Sequence, residues 1–446
     1  MDALVLSCGG TVEPLVESIS KYEPDLVYFL HSEQSFYQAM YILSLFNFDL
    51  TYNCKLVKNY QDLDEVFVKS RELLRELKGK DYDIRVDFTG GTKTMSAGLV
   101  LASIGQGCKH SYIGSKDLNG RDKNGLGVVL EGHELVTEQE DPYESYAILE
   151  FERGKLFFDE YQFNAAKTNF EVAKSKSKSK NLKKLAEIYF EIVEFYDLWD
   201  KFEIVINDNY MLFYYLREFI LNKINEDKFL KNHFLTEHYA FIMQIEMNIQ
   251  FLEKKTYNSK SNPKYVSVDN INYYLPDLLN NAKRRICEGK YDDAVARLYR
   301  AIELIAQIKL TREGLINEEN LGDNRNFKIK KSEIYSLEDN LPVKSKILNC
   351  YEFNKDSKKS FGVTSWKSYK ILEGLGIDFA HRYVEDKKIR NNITLRNNSI
   401  LAHGLIPISK SQANELYRQT FNYAKCICPN INDYLDYSKF PKFNED

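Results

Sequence analysis

The sequence predicts an α/β domain with a mostly parallel sheet, followed by an all-helical remainder. Three observations carry that prediction. Up to about residue 136, short apolar runs alternate with stretches of helical periodicity, the signature of βαβ units. From Pro142 onward, apolar residues recur at three- and four-residue spacing, and the pattern stays helical. At 446 residues the chain is too long for one ordinary core, so two or three domains are expected.

Leu4-Val5-Leu6-Ser7-Cys8 reads as the first strand, and Gly9-Gly10-Thr11 turns the chain into a helix over 12–20. Strands over 25–30 and 51–57 each lead into a helix, over 34–45 and 61–77. A fourth strand starting at Asp83 ends in Thr89-Gly90-Gly91-Thr92 and a small-residue helix to about Gln106. A fifth strand is predicted over 110–113. A hairpin with a glycine-rich tip over 119–125 then leads into a strand over 127–130. In the common doubly wound order 3-2-1-4-5, strands one and four are neighbours and the order reverses between them. The two Gly-Gly-Thr turns then flank the crevice where such folds bind ligands.

The helical remainder opens with a hairpin over 151–158 and 161–173, followed by Lys174-Ser175-Lys176-Ser177-Lys178-Ser179-Lys180, read as a solvated, mobile loop. Helices are predicted over 182–199, 210–225 and 233–253, and the polar stretch 254–269 reads as a linker. A second helical unit starts near Leu275. Its clearest helix runs from Tyr291 to Ile305, with Leu298, Ile302 and Ile305 on the core face. Arg297, Arg300 and Glu303 lie on another face, with Tyr299 between the two.

Composition narrows the function. The 43% hydrophobic and 28% charged fractions are those of a soluble globular chain. Lys and Arg number 61 against 65 Asp and Glu, a formal charge of -4, which excludes a protein that coats nucleic acid. Any RNA contact is expected as a local patch. The seven cysteines are scattered, and Cys426-Ile427-Cys428 is too close for a zinc-knuckle spacing. With no signal peptide, they indicate reduced thiols and a cytoplasmic protein. No apolar run reaches membrane-spanning length, so no membrane partner is expected. No metal or cofactor is expected either, for want of a convincing ligand cluster.

Asp87-Phe88-Thr89-Gly90-Gly91-Thr92-Lys93 is the first informative stretch. Gly90 and Gly91 let the backbone approach a ligand closely. Thr92 is a candidate N-cap, so free amides and the positive helix end face outward beside the Lys93 charge. Together they make an anion site suited to a phosphodiester. The same residues also fit an ordinary strand-to-helix turn with a solvated lysine. The spacing is not that of a Walker A loop. A nucleotide-cofactor site with Glu33 as its ribose acid is disfavoured, because the first turn lacks G-x-G-x-x-G. Asp-x-Thr-Gly-Gly-Thr-Lys at a fourth strand resembles the ligand-binding turn of CARF domains, the Rossmann-like sensors of CRISPR-associated proteins. That resemblance implies a cyclic oligoadenylate held by Gly9, Gly10, Thr11, Thr89, Gly90, Gly91, Thr92 and Lys93.

The second stretch is Leu395-Arg396-Asn397-Asn398-Ser399-Ile400-Leu401-Ala402-His403-Gly404. It predicts a helix ending near Gly404, with Pro407 soon after, Arg396, Ser399 and His403 on one polar face, and Ile400 and Leu401 packed on the other. Arg396-Asn397-x(5)-His403 resembles the active-site motif of HEPN ribonucleases, in which two protomers build one composite site. Along a helix Arg396 and His403 would stand roughly 10 Å apart in rise, too far to share one phosphate comfortably within one chain. Arg396 would hold the scissile phosphate, and His403 would act in proton transfer or phosphate stabilisation.

The two resemblances in this order imply a type III CRISPR effector. Its parts would be a CARF sensing domain at 1–136, an all-α linker at 137–274 and an all-α HEPN domain at 275–446. The implied protein is a homodimer that cleaves single-stranded RNA without metal, with Arg396, Asn397 and His403 as catalytic residues and no DNA partner. Its activator would be a cyclic oligoadenylate, tetraadenylate ahead of hexaadenylate. Two alternatives stay open: a ring nuclease that degrades the oligoadenylate using Lys93 and the threonines, and a catalytically silent adaptor.

Overall fold

A computed structural model describes residues 1–47, 50–117, 120–122, 129–130, 132–203, 205–206, 210–256, 271–316, 328–337, 344, 360–362, 364–397, 399–401 and 404–444. The chain gathers into two compact units. One is Met1–Glu150 with Val172–Lys183; the other is Phe151–Glu171 with Lys184–Asp446.

In the first unit, β1 (Asp2–Ser7), β2 (Leu26–His31), β3 (Tyr52–Leu56), β4 (Asp83–Asp87) and β5 (Lys109–Ser115) alternate with α1 (Glu13–Tyr22), α2 (Phe36–Leu45), α3 (Leu63–Lys78) and α4 (Lys93–Ser103). With β6 (Glu134–Gln139) they form one sheet in the order β3-β2-β1-β4-β5-β6. β1 to β5 are parallel, and β6 runs antiparallel to β5. This is the Rossmann-like α/β class expected from the sequence. β1 and β2 are central and buried on both faces, which is why they read as unbroken apolar runs. Ala3, Val5, Tyr28 and Val86 share one layer with Leu73, Leu77 and Leu99, while Leu4, Leu6, Val27 and Phe29 share the other with Leu15, Ile19 and Ile42. Each fully buried Leu or Phe there is worth roughly 1.5–3 kcal/mol.

Two expectations for this unit are corrected. The last strand is Glu134–Gln139 rather than 127–130. Among the described residues of that earlier stretch, Val129 makes only an isolated bridge to Arg121. β6 is an edge strand in which Val136 alone is buried, so its charged residues hide its strand character. The Lys/Ser run is also not a free loop. Helix continues to Lys176 and resumes at Lys180, and Ser177 is buried. Lys176 pairs with Glu144 at 2.6 Å and Glu150 at 2.9 Å, and Lys178 pairs with Glu140.

The longer helices after the sheet are α5 (Ile148–Asp159), α6 (Phe163–Lys176), α7 (Lys180–Asp200), α8 (Lys228–Glu237), α9 (Tyr239–Thr256), α10 (Ile271–Cys287), α11 (Tyr291–Arg312), α12 (Ser365–Gly374), α13 (Asp378–Glu385), α14 (Lys387–Asn397), α15 (Lys410–Ile427) and α16 (Ile431–Tyr437). α7, α9 and α10 share a ring-rich core. Trp199 stacks on Tyr196 and Phe251, and its indole N–H donates to the Asp277 carboxylate at 3.1 Å. Lys255, fully buried, closes the ion pair with Asp277. Lys255 and Thr256 thus belong to a buried helix end rather than to the linker expected there, whose residues 257–270 lie outside the described residues. Leu298, Ile302 and Ile305 of α11 are buried as the periodicity requires. Tyr369 of α12 stacks on Tyr383 of α13 at 3.6 Å and donates to Ile302 O at 3.0 Å. These contacts fix α11, the helix that supports the second candidate site.

Candidate functional sites

At the C-terminal end of β4, Asp87 is fully buried and organises the turn. One carboxylate oxygen accepts from the Thr89 amide at 2.9 Å; the other accepts from Ser18 Oγ at 3.0 Å and Ser111 Oγ at 2.9 Å. The two glycine turns lie backbone to backbone, as the strand order requires. A Cβ on Gly9 would stand 2.7 Å from the Gly91 amide nitrogen, and one on Gly90 would stand 2.3 Å from Ser7 O. Gly91 has φ +81°, a conformation that favours glycine. Ser7 Oγ and Ser96 Oγ both donate to Gly90 O, at 2.6 and 2.9 Å.

The turn residues divide by what they face. Thr92 caps α4 as its sequence position suggested, accepting from the Met95 amide at 3.2 Å and donating to Tyr60 O at 3.1 Å. Thr89 Oγ1 accepts from the Ile113 amide at 2.8 Å. These two hydroxyls serve the scaffold. Lys93 and Gly10 are exposed, and Thr11 is half-buried. Among the described residues no carboxylate pairs with Lys93. Across the crevice, Glu13 opens α1 and accepts from the Val12 amide at 3.1 Å. The arrangement offers an anion the Lys93 ammonium and the positive end of an eleven-residue helix.

The second site is built on α11 and α14. The Asp386 carboxylate starts α14, accepting from the amides of Lys388 at 2.9 Å and Ile389 at 3.1 Å. Arg396 falls in its last turn. The guanidinium lies over the Tyr299 ring, 4.7 Å from its centroid, and Nη1 donates to Asn397 Oδ1 at 3.2 Å. Its Nε is buried without a hydrogen-bond partner. Burial raises the Tyr299 phenol above its ordinary range; the Glu303 carboxylate, which its hydroxyl meets, adds to the rise and Arg396 opposes it. Glu303 in turn pairs with Arg300 at 3.3 Å, and Arg300 donates to Gln307 Oε1 at 3.1 Å.

The helix expected through Gly404 stops at Asn397, and among the described residues Ser399–Leu401 form a turn. Ser399 is buried and donates to Arg396 O at 2.8 Å, so it does not share a polar helix face with Arg396. Asn and Ser compete for backbone groups outside helices, which accounts for the stop. Ile400 and Leu401 are 66% and 51% exposed instead of packed. His403 lies outside the described residues. Tyr299 is the residue that the sequence placed between the two faces of α11 without giving it a role. Its only signal was its place four residues before Glu303, on the seam between core and polar faces. Of the three residues that the sequence placed on the polar face of this helix, Arg300 and Glu303 belong to this cluster.

Residues 264–427 match the family model described as the Csm6 HEPN domain, a span that holds Tyr299, Arg396, Asn397 and His403. A Rossmann-like α/β unit thus precedes a segment that matches the Csm6 HEPN model. The chain is similar in structure to Enterococcus italicus Csm6 bound to cyclic hexa-2'-fluoro-hexa-dAMP, at 14% identity and a TM-score of 0.49, over 99% of this chain and 98% of that one. It is also similar to Can2 from Sulfobacillus thermosulfidooxidans in complex with cyclic tetra-adenylate, at 12% identity and a TM-score of 0.24, over 45% of this chain and 68% of that one. None of the curated proteins matches its sequence. Among the described residues, no helix is long and apolar enough to cross a membrane.

Proposed function

We propose that the protein is a cytoplasmic, homodimeric endoribonuclease of type III CRISPR antiviral defence. A cyclic oligoadenylate, tetraadenylate ahead of hexaadenylate, switches on its cleavage of single-stranded RNA. The sensor is the 1–136 segment, the helices of 137–274 link it, and 275–446 carries the nuclease. The observation that carries this reading is the Arg396 guanidinium held over Tyr299 inside the Csm6-type HEPN segment. A guanidinium fixed by ring stacking keeps its outer N–H groups for a phosphate, the charge that grows in the transition state of RNA cleavage. Attack by the RNA's own 2′-OH needs no metal; Asn397 supports Arg396, and His403 serves in proton transfer.

A second copy completes the site. The exposed apolar run Ile400, Leu401, Leu405 and Ile406 adjoins the motif and is the surface such a copy would cover. At the sensor, Lys93 and the α4 N-terminus bind the ligand phosphates beside Gly9, Gly10 and Thr11. The deciding experiment incubates purified protein with single-stranded RNA, with and without cyclic tetra- or hexaadenylate, in excess chelator. The expected products carry 2′,3′-cyclic phosphate or derived 3′ ends and form only with activator. Activity lost to chelation and restored by magnesium refutes the reading. Oligoadenylate degraded while RNA stays intact supports the ring-nuclease alternative.

A further inference from the structure

The junction between α8 and α9 gathers donor groups that RNA cleavage does not use. His233 and Glu237 stand one turn apart on α8, and their side chains meet, His233 Nδ1 lying 3.1 Å from Glu237 Oε1. His238 ends the helix. With φ −138° and ψ 41° it leaves the helical path, while its amide still donates to Phe234 O at 3.0 Å. The break before α9 sets its imidazole against that of His233, with ring centroids 5.3 Å apart at 77°. One donor atom from each of His233, Glu237 and His238 belongs to a group lying within 4.8 Å of one another.

We propose that His233, Glu237 and His238 hold one zinc ion at the α8–α9 corner. Two imidazole nitrogens and one carboxylate oxygen are a ligand set that zinc takes, with water in the fourth position. Three further observations point to an ion. His238 Nε2 is shielded from solvent with no hydrogen-bond partner, the state a buried nitrogen reaches when its natural partner is not a protein group. His233 Nε2 lies 2.8 Å from Tyr189 Oη, the kind of outer hydrogen bond that orients a ligating imidazole. The Glu237 side chain is 62% exposed, which gives the ion a way in and water a way to the fourth position. The opposing charge is Lys155, whose ammonium acts on both imidazoles and is itself paired with Glu152 at 2.7 Å. The bound ion would draw the donors to about 2.0–2.2 Å from itself, within reach of a rotamer change at Glu237.

The test uses the full chain and is read by binding, so its outcome is separate from that of the ribonuclease reading. Chelator-treated protein is titrated with zinc chloride against a chromogenic zinc indicator, and metal is counted after gel filtration. One zinc per chain is expected. His238→Ala and Glu237→Gln should each weaken binding by at least the ~10–100-fold that loss of even an outer partner costs. Zinc should also raise the melting temperature of the wild type but of neither variant. Failure to retain zinc, or unchanged affinity in the variants, overturns the proposal. If His238→Ala does not fold, Glu237→Gln decides, because its carboxylate is exposed.

Discussion

Replacing Tyr299 tests whether Arg396 is held for catalysis. The ring lies 4.7 Å beneath the guanidinium, and its hydroxyl meets Glu303. A cation–π contact is worth ~0.5–1 kcal/mol when exposed and ~2 or more when desolvated. Arg396 is half-buried, so Tyr299→Leu should forfeit about 1–2 kcal/mol of orientation. That corresponds to a fall of roughly 5- to 30-fold in rate. Tyr299→Phe keeps the ring and removes only the hydroxyl, so its loss should stay within about threefold. The assay is activator-saturated cleavage of a fluorescent single-stranded RNA, with kcat and KM separated and melting temperatures checked. The loss in Tyr299→Leu should fall on kcat, because the guanidinium meets its full charge only in the transition state. If Phe and Leu cost the same, or if both raise KM alone, Tyr299 is a packing residue and the stacking argument fails.

The remaining predictions are these. Arg396→Ala and His403→Ala should each remove most RNA cleavage, with a loss of ~100- to 10,000-fold for the acid–base residue, while oligoadenylate affinity and dimerisation stay near wild type; two variants that both cleave normally refute the HEPN site. Lys93→Ala should weaken oligoadenylate binding tenfold or more, since a charged hydrogen bond contributes roughly 1.5–3 kcal/mol. Calorimetry with an unchanged dissociation constant would leave Lys93 a solvated residue. Burial holds the His110 imidazole below its ordinary range, with Ser103 Oγ at 2.8 Å. The folded state therefore keeps His110 neutral while the unfolded chain takes up a proton near pH 6.5, so stability should fall as pH drops below about 6.5. A His110→Gln variant should flatten part of that fall in a melting series, and an unchanged slope would remove His110 as a cause.

What the sequence disclosed depended on where each residue lies in the fold. β1 and β2 were legible as strands because they are buried on both faces, and no helix period reproduces their unbroken apolar runs. The order 3-2-1-4-5 was the common one for such a fold, and the sheet follows it. The pairing of the two Gly-Gly-Thr turns then followed from topology alone. β6 escaped because an edge strand presents Glu134, Glu138 and Gln139 and buries only Val136. The end of α14 escaped for a different reason. Ile400 and Leu401 carry the three- and four-residue spacing of a core face, yet they point to solvent, so periodicity alone extended the helix. His233, Glu237 and His238 lie within six residues of sequence, but their convergence depends on the helix break at His238, which has no local signature. Tyr299 meets Arg396 across two helices nearly a hundred residues apart, and no motif spacing encodes such a contact.

Under the proposed function, the turn geometry also bears on whether the Gly-Gly-Thr crevice only binds an oligoadenylate or cleaves it as well. A cleaving site needs groups that approach the reacting 2′-OH or the leaving oxygen. Thr11, Thr89 and Thr92 were the hydroxyls available for that role from sequence, but two of them already serve the backbone, Thr89 holding Ile113 and Thr92 bridging Met95 and Tyr60. Moving either one to a ligand would break a cap or a strand-end contact, and losing a helix cap alone costs about 0.5–2 kcal/mol. Lys93 has no such duty, and the positive end of α4 points the same way. Charge without a poised proton acceptor favours tight binding of a phosphodiester over its cleavage. Among the described residues, Thr11 is the turn hydroxyl that makes no such bond, so a Thr11→Val variant separates the two activities. If cleavage of the oligoadenylate occurs and disappears in that variant while affinity holds, the turn is catalytic. If the ligand survives long incubation with the wild type, the turn is a sensor alone.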